Sequence, residues 1–206
     1  MRKITNKILD NDFGWYYSRK FLDITIGSYR LRKPLLRKYA IKSGDESVLD
    51  VGCGTGEMSV LTKGDYLGID LEQNYINLAK TKFAANNRKF VCKDLNTLKP
   101  ADKKYDIGLL IDLTHHINDQ ELVNLLTKLD KLITKDIIIC DPIKQSKTNY
   151  LGRFMTYLDR GRFIRLKKHE ITLIKQVFGN TKSYTIVGLK IGPIETICIR
   201  IHTPKN

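Results

Sequence analysis

The sequence predicts a doubly wound α/β sheet, and three observations carry that prediction. Short apolar runs alternate with helical patterns from residue 47 to residue 141. The first run ends in the glycine-spaced stretch VLDVGCGTGEM (48–58), the kind of loop such sheets place beyond the carboxyl end of a strand. Two closing strand-like runs, YTIVGL (184–189) and IETICIRI (194–201), follow one another with no helix between them, which predicts an antiparallel hairpin at the sheet edge.

Taken in order, residues 16–42 read as helical, with aromatic and aliphatic residues among basic ones and Pro34 interrupting or restarting the helix. Ser43-Gly44-Asp45 is a loop. The strand-like runs are then SVLDV (47–51), YLGID (66–70), FVCKD (90–94), YDIGLLID (105–112) and DIIICD (136–141). Between the second and third, Ile76, Leu78, Ala79 and Phe83 suit a helix packed on a sheet. Between the fourth and fifth, Leu122, Leu125, Leu126, Leu129 and Leu132 recur at three- and four-residue spacing, the stripe of an amphipathic helix over Asp119 to Leu132. Tyr150 to Leu158 and His169 to Phe178 read as two further helices. Strands alternating with helices imply parallel pairing and right-handed crossovers.

A chain of 206 residues is most simply one domain with one full core. Within it the sequence divides into a basic helical N-terminal extension (1–44), a cofactor-binding core (45–142), basic substrate-side helices (143–182) and the closing hairpin (183–206). The N-terminal MRKITNKILDNDFG lacks the apolar block of a signal peptide, and the longest aliphatic run, near Ile137-Ile138-Ile139, is too short to span a bilayer. A soluble, cytoplasmic protein is expected. Cys53, Cys92, Cys140 and Cys198 are widely spaced with no CxxC, so they read as reduced thiols rather than a disulfide or zinc framework, and no metal ligand set is apparent.

The net charge of +14 is concentrated. Residues 1–42 hold 11 Lys and Arg against 3 acidic residues, residues 144–182 hold 10 against 2, and the remainder 15 against 17. The two basic segments either form one face for an anionic partner or are solvated helix surfaces.

The glycine loop decides the ligand. A dinucleotide fingerprint would read G-x-G-x-x-G/A and present a helix N-terminus to pyrophosphate. Here the pattern is G-x-G-x-G, with Glu57 in the place of the third glycine, where a carboxylate would repel pyrophosphate. A Walker A ending is absent. Asp70 ends the second strand run, where a carboxylate can accept bonds from both hydroxyls of an adenosine ribose. Asp94 ends the third, within reach of an adenine amino group, with Leu95 packing on the ring. Each aspartate alone is as readily a helix cap or turn former. All three of Asp50, Asp70 and Asp94, at successive strand ends behind this loop, point to an adenosine cofactor.

On VLDVGCGTG (48–56), YLGIDLEQNYINLAK (66–80), FVCKDLN (90–96) and YDIGLLIDLTHHINDQE (105–121), the sequence resembles the class I S-adenosylmethionine-dependent methyltransferases. More narrowly it is similar to an uncharacterised bacterial group of small methyltransferases with a basic N-terminal helical region. That group also has an LHH-like stretch before an acidic turn and a D-R-G-x-x-x-R segment, here Asp159 to Arg165. The resemblance implies a Rossmann-like, seven-stranded, mostly parallel sheet with an antiparallel last strand, and S-adenosylmethionine as cofactor, leaving as S-adenosylhomocysteine. It implies that Asp50, Gly52, Cys53, Gly54 and Gly56 surround the methionine part, Asp70 and Leu71 the ribose, and Asp94 and Leu95 the adenine. Ile111 and Asp112 would line the place of methyl transfer. The fourth strand ends in IDLTHH, not the NPPY-like motif of methylases acting on base amines.

Methyl transfer is an in-line displacement for which the protein mainly aligns the partners. His115 and His116 follow the fourth strand and either supply a general base or begin the next helix with one ring packed and one exposed. Arg153, Arg160, Arg162 and Arg165 lie where this fold often carries substrate elements, and arginine forks suit phosphate or carboxylate. Trp15, Tyr16, Tyr17, Arg19 and Lys20 are placed to close over the same cavity. Asp141-Pro142, at the fifth strand end, reads as a turn former or, less favoured, as a substrate contact. The acceptor expected is a small or lipid-like anionic molecule, with no obligate protein partner. Three other readings stand beside it: an RNA methyltransferase using the basic face, a non-catalytic adenosylmethionine-binding or membrane-surface protein, and, disfavoured by Glu57, a nicotinamide dehydrogenase.

Overall fold

A computed structural model describes residues 28–39, 41–94, 97, 104–159, 161–179 and 182–203. Helix α1 (Ser28–Tyr39) leads into strand β1 (Val48–Val51), a 3₁₀ turn (Glu57–Leu61), β2 (Tyr66–Asp70) and helix α2 (Gln73–Phe83). Strands β3 (Arg88–Cys92) and β4 (Tyr105–Ile111) follow, then a short 3₁₀ turn (Thr114–His116), helix α3 (Asp119–Leu132) and β5 (Ile133–Pro142). Helices α4 (Tyr150–Leu158) and α5 (Lys167–Phe178) precede β6 (Ser183–Ile191) and β7 (Ile194–His202).

All seven strands form one sheet in the order β3-β2-β1-β4-β5-β7-β6. The first five in that order pair in parallel, while β7 runs antiparallel to both β5 and β6. The order reverses between β1 and β4, so their carboxyl ends flank the crevice where an open α/β sheet takes its ligand. The Rossmann-like sheet and its closing hairpin are as the sequence predicts.

Each face of the sheet is covered by its own apolar layer. On one, the α3 stripe Leu122, Leu125, Leu126, Leu129 and Leu132 meets Ile137 and Ile139 of β5, Ile199 of β7, and Leu173, Ile174 and Phe178 of α5. On the other, Leu36 of α1, Met58, and Ile76 and Ala79 of α2 meet Val48, Phe90, Ile107 and Leu109. This division lets the apolar strand runs be buried on both sides, as parallel strands require.

Four local expectations need correction. Pro34 lies inside a continuous α1. Its ring removes one backbone donor, but Leu36 and Arg32, each nearly fully buried, tie the helix down on either side. Strand β3 ends at Cys92, so Asp94 stands two residues beyond the strand. Strand β5 starts at Ile133, directly after α3, because the helix end hands its last apolar residues straight to the sheet. The histidine pair belongs to its own 3₁₀ turn, and α3 begins only after Asn118, whose side chain closes a capping box with Glu121.

Cys53, Cys140 and Cys198 are buried and free, and Cys92 is exposed and free. No described helix is long and apolar enough to cross a membrane. Residues 1–27 lie outside the described residues, and with them the expected lid at Trp15, Tyr16, Tyr17, Arg19 and Lys20.

Candidate functional site

At the carboxyl edge of β1, β2 and β4 lies a cavity of about 470 Å³, within the roughly 300–1,000 Å³ typical of small-molecule sites. Of the eleven residues predicted around a cofactor, nine line it: Asp50, Gly52, Cys53, Gly54, Asp70, Leu71, Asp94, Ile111 and Asp112. Gly56 does not. It is a packing glycine, since a Cβ there would lie 2.7 Å from the Phe90 ring and 3.0 Å from Ala79. Leu95 lies outside the described residues.

The loop is held from below and open above. Gly52 and Cys53 both donate their N–H to the Ile69 carbonyl, at 2.8 and 3.1 Å. Gly54 donates to Asp70 Oδ2 at 2.8 Å, while the other Asp70 oxygen accepts from Glu72 N–H at 2.9 Å. One carboxylate thus fixes the glycine loop and the turn after β2 together, and each of its oxygens keeps lone pairs for a ligand. Gly54 has φ of +52°, and among the described residues no heavy atom lies within 4 Å of where its Cβ would be. That is a backbone shaped for close approach.

Asp50 is 2% exposed and accepts the Tyr66 hydroxyl at 2.5 Å. Burial pushes its carboxyl up to about 7; the Tyr66 hydrogen bond opposes the shift and the Asp70 charge adds to it. Asp112 follows β4 at φ of +54°, the only non-glycine residue with positive φ among those described. Both of its carboxylate oxygens are clasped by the Arg32 guanidinium from α1, at 2.6 Å for Oδ1. Strain of this kind persists where the surroundings over-determine it, and here the ion pair fixes the Asp112 side chain on the cavity wall. Sequence reasoning missed Arg32, which lies 80 residues away and whose only signal is an arginine on the apolar side of a helix.

The lining is markedly acidic. Asp50, Glu57, Asp70, Glu72, Asp94, Asp112 and Glu121 face the cavity, against Lys93, His116 and the Arg32 guanidinium that offsets Asp112. A pyrophosphate would be repelled, whereas a ligand carrying a sulfonium and an ammonium group is attracted. The donor set therefore fits S-adenosylmethionine and not a dinucleotide.

Beyond the cavity, the two segments flagged by their motifs interlock. Asp141, at the end of β5, accepts from Thr114 N–H, the Thr114 hydroxyl and His115 N–H, and meets His115 Nδ1 at 2.9 Å. Asp141 is thus an anchor rather than a turn former. From the other side, Phe163 donates its N–H to the His115 carbonyl at 2.9 Å. Gly161 leaves room for the His115 ring, because a Cβ there would fall 2.0 Å from the ring's Cδ2. Arg165 donates to Asp119 Oδ1, Thr114 O and Ile117 O at 2.7–2.8 Å. Expected on a substrate anion, its guanidinium is instead buried and occupied in clamping the histidine turn. Burial would lower the His115 pKa, but Asp141 and then Asp159 override it and raise it to about 10. Only His116 of the pair faces the cavity. Arg160 lies outside the described residues, and Arg162 is exposed.

Comparison with known proteins agrees with this geometry. The methyltransferase-domain family matches residues 48–136. An uncharacterised protein of Methanocaldococcus jannaschii is 31% identical over 163 residues, covering 77% of this chain and 68% of that protein. A ribosomal protein L11 methyltransferase of Staphylococcus haemolyticus is 34% identical over 108 residues, 46% of this chain and 33% of the relative. The chain spans a third to a half of the length of the L11 methyltransferases it matches. Among solved structures, the magnesium protoporphyrin IX methyltransferase of Synechocystis with bound S-adenosylhomocysteine superposes with a TM-score of 0.71 at 18% identity. It covers 98% of this chain and 100% of its own.

Proposed function

We propose that this chain, whose residues 48–136 match the methyltransferase-domain family, is a class I S-adenosylmethionine-dependent methyltransferase that transfers a methyl group to a small-molecule or lipid-like, anionic acceptor. The observation that carries the cofactor half is the cavity wall of seven carboxylates behind a loop whose Gly54 leaves space for a ligand. S-adenosylmethionine, when bound, supplies an electrophilic methyl on a sulfonium. The residues supply position. Asp70, already fixed by Gly54 and Glu72, takes the ribose hydroxyls, with Leu71 beside it. Asp94 takes the adenine amino group. Asp50 and the loop from Gly52 to Gly54 surround the methionine part, and Ile111 and Asp112 border the transferring methyl.

The acceptor half rests on α4 and the segment after it. Tyr150, Leu151, Phe154, Tyr157 and Leu158 are exposed, as are Phe163 and Leu166. Exposed Lys147, Arg153, Arg162, Lys167 and Lys168 lie in the same stretch. Apolar side chains interleaved with cations suit a molecule with an apolar body and an anionic group. This element follows β5 and so emerges at the same edge of the sheet as the cavity.

Calorimetry tests the cofactor: S-adenosylhomocysteine should bind and NAD should not, and the reverse would overturn the assignment. Incubating extracts with methyl-labelled cofactor, then identifying the product by mass spectrometry, tests the acceptor. A labelled RNA as the main product would refute the lipid-like class.

A further inference from the structure

The interlocked histidine turn and Asp159 segment do more than pack. We propose that His115, His116 and Asp159 form a binding site for a divalent cation of Zn²⁺ character, set against the wall of the cofactor cavity. The three side chains offer two imidazole nitrogens and one carboxylate oxygen, all within 4.8 Å of one another. His115 Nε2 and Asp159 Oδ1 already stand 3.5 Å apart, close to the roughly 3.3 Å that separates two ligands of a tetrahedral ion with bonds of about 2.0–2.1 Å. The remaining closure falls to His116 and Asp159, the two exposed members, the Asp159 Oδ1 also accepting the Gly161 N–H at 3.0 Å.

The independent observation is His115 itself. Its side chain is 2% exposed, and Nε2 faces the Asp159 carboxylate at 3.5 Å, an ion pair that lacks hydrogen-bond geometry. A buried polar nitrogen left in that state is costly unless something occupies it. Its other nitrogen, Nδ1, meets the Asp141 carboxylate at 2.9 Å. Imidazoles that ligate metals are oriented in this way, because a carboxylate on one nitrogen fixes the tautomer and makes the other more basic. The Asp141 carboxylate is in turn held by two backbone N–H groups and the Thr114 hydroxyl. The His115 and His116 rings lie with centroids 4.1 Å apart, so both nitrogens come from one turn. Two imidazoles and one carboxylate suit Zn²⁺, Co²⁺ or Mn²⁺ better than Mg²⁺ or Ca²⁺.

Three protein ligands leave a fourth position, and His116 puts the ion at the cavity wall. An acceptor oxygen bound there would lose its proton more readily, with His116 acting as ligand and not as free base. That last step rests on the methyl-transfer reading; the binding of the ion does not.

The test therefore uses the full chain without cofactor or acceptor. Titration calorimetry with Zn²⁺, and the visible absorption of Co²⁺, should show one ion per chain with micromolar or tighter affinity. His116→Gln and Asp159→Asn should each weaken it tenfold or more, and His202→Gln, at the end of β7 where it pairs with Asp136 at the start of the β5 ladder, should leave it unchanged. Asp159→Asn should still bind S-adenosylhomocysteine, which shows that the variant is folded. Failure of the parent to bind either ion, or binding unaltered in both variants, overturns the site. Loss of S-adenosylhomocysteine binding by the parent would instead refute the cofactor assignment and leave the metal result standing.

Discussion

Replacing Gly54 with alanine separates a loop that merely turns from one that seats a ligand. At φ of +52° an L-residue is strained, but the new methyl meets no heavy atom of the described residues within 4 Å. The folded protein should therefore lose only the backbone term, roughly 1–2 kcal/mol. For a chain of this size that is a drop of about 2–4 °C in Tm per kcal/mol. Gly44→Ala is the matched control, with φ of +81° and equally open space, but in the loop before β1 and away from the cavity. Both variants should melt a few degrees below the parent. They should differ in binding, because the Gly54 methyl enters space the cofactor needs. Overpacking of that kind costs about 1–3 kcal/mol, which is a roughly 5- to 150-fold loss of affinity. Calorimetry with S-adenosylhomocysteine reads the difference directly. If Gly54→Ala binds within twofold of the parent while Gly44→Ala does the same, the glycine loop is a turn and not a cofactor seat.

Asp70→Ala removes the carboxylate that ties Gly54 to Glu72 and should weaken S-adenosylhomocysteine by about 1–3 kcal/mol; unchanged affinity refutes the ribose role. Asp50 is raised by burial to about 7 in the folded protein, so the folded state holds a proton that the unfolded chain releases near its ordinary carboxylate value. Stability from this group is thus present at acid pH and declines as pH rises from about 4 to about 7. Asp50→Asn should match the parent in urea unfolding near pH 4 and exceed it at pH 8, and parallel profiles would refute the shift. Gly161→Ala drives a methyl to 2.0 Å from the His115 ring, which Asp141 prevents from turning away. It should cost at least about 1–3 kcal/mol in thermal or urea unfolding, and a parent-like Tm would show that the two segments are not interlocked.

Much of this architecture was legible in the sequence because it depends on local periodicity. The leucine stripe of α3 specifies both its face and its length, and the apolar runs of β1, β2 and β4 mark strands whose ends carry Asp50, Asp70 and Asp112. The cavity residues follow from those ends together with the glycine spacing. Long-range side-chain pairs were not legible. Arg32 reaches Asp112 across 80 residues, and Arg165 reaches Asp119 across 46, with nothing local to announce either. Both arginines belong to basic segments, and charge counting assigns such residues to solvent or to a substrate anion. The structure instead turns each inward onto a carboxylate, which only the folded geometry can specify. His115 was named from the sequence, but its anchoring was hidden for a similar reason, since its partner Asp141 comes from the far end of the next strand.

The position of β7 also bears on how the chain reaches this state. It follows β6 in sequence yet lies between β6 and β5, pairing with both. During synthesis β5 has its β4 partner early, while its other edge, running along Ile137 to Ile139, stays bare until residues 194–202 have been made. An aliphatic strand with an open edge is a template for other chains. The hairpin must also form as a unit before it can dock, which closes contacts over long sequence separations and slows the last step. Refolding yield should therefore depend on protein concentration, and chaperone demand should be greatest in the interval between completion of β5 and arrival of β7.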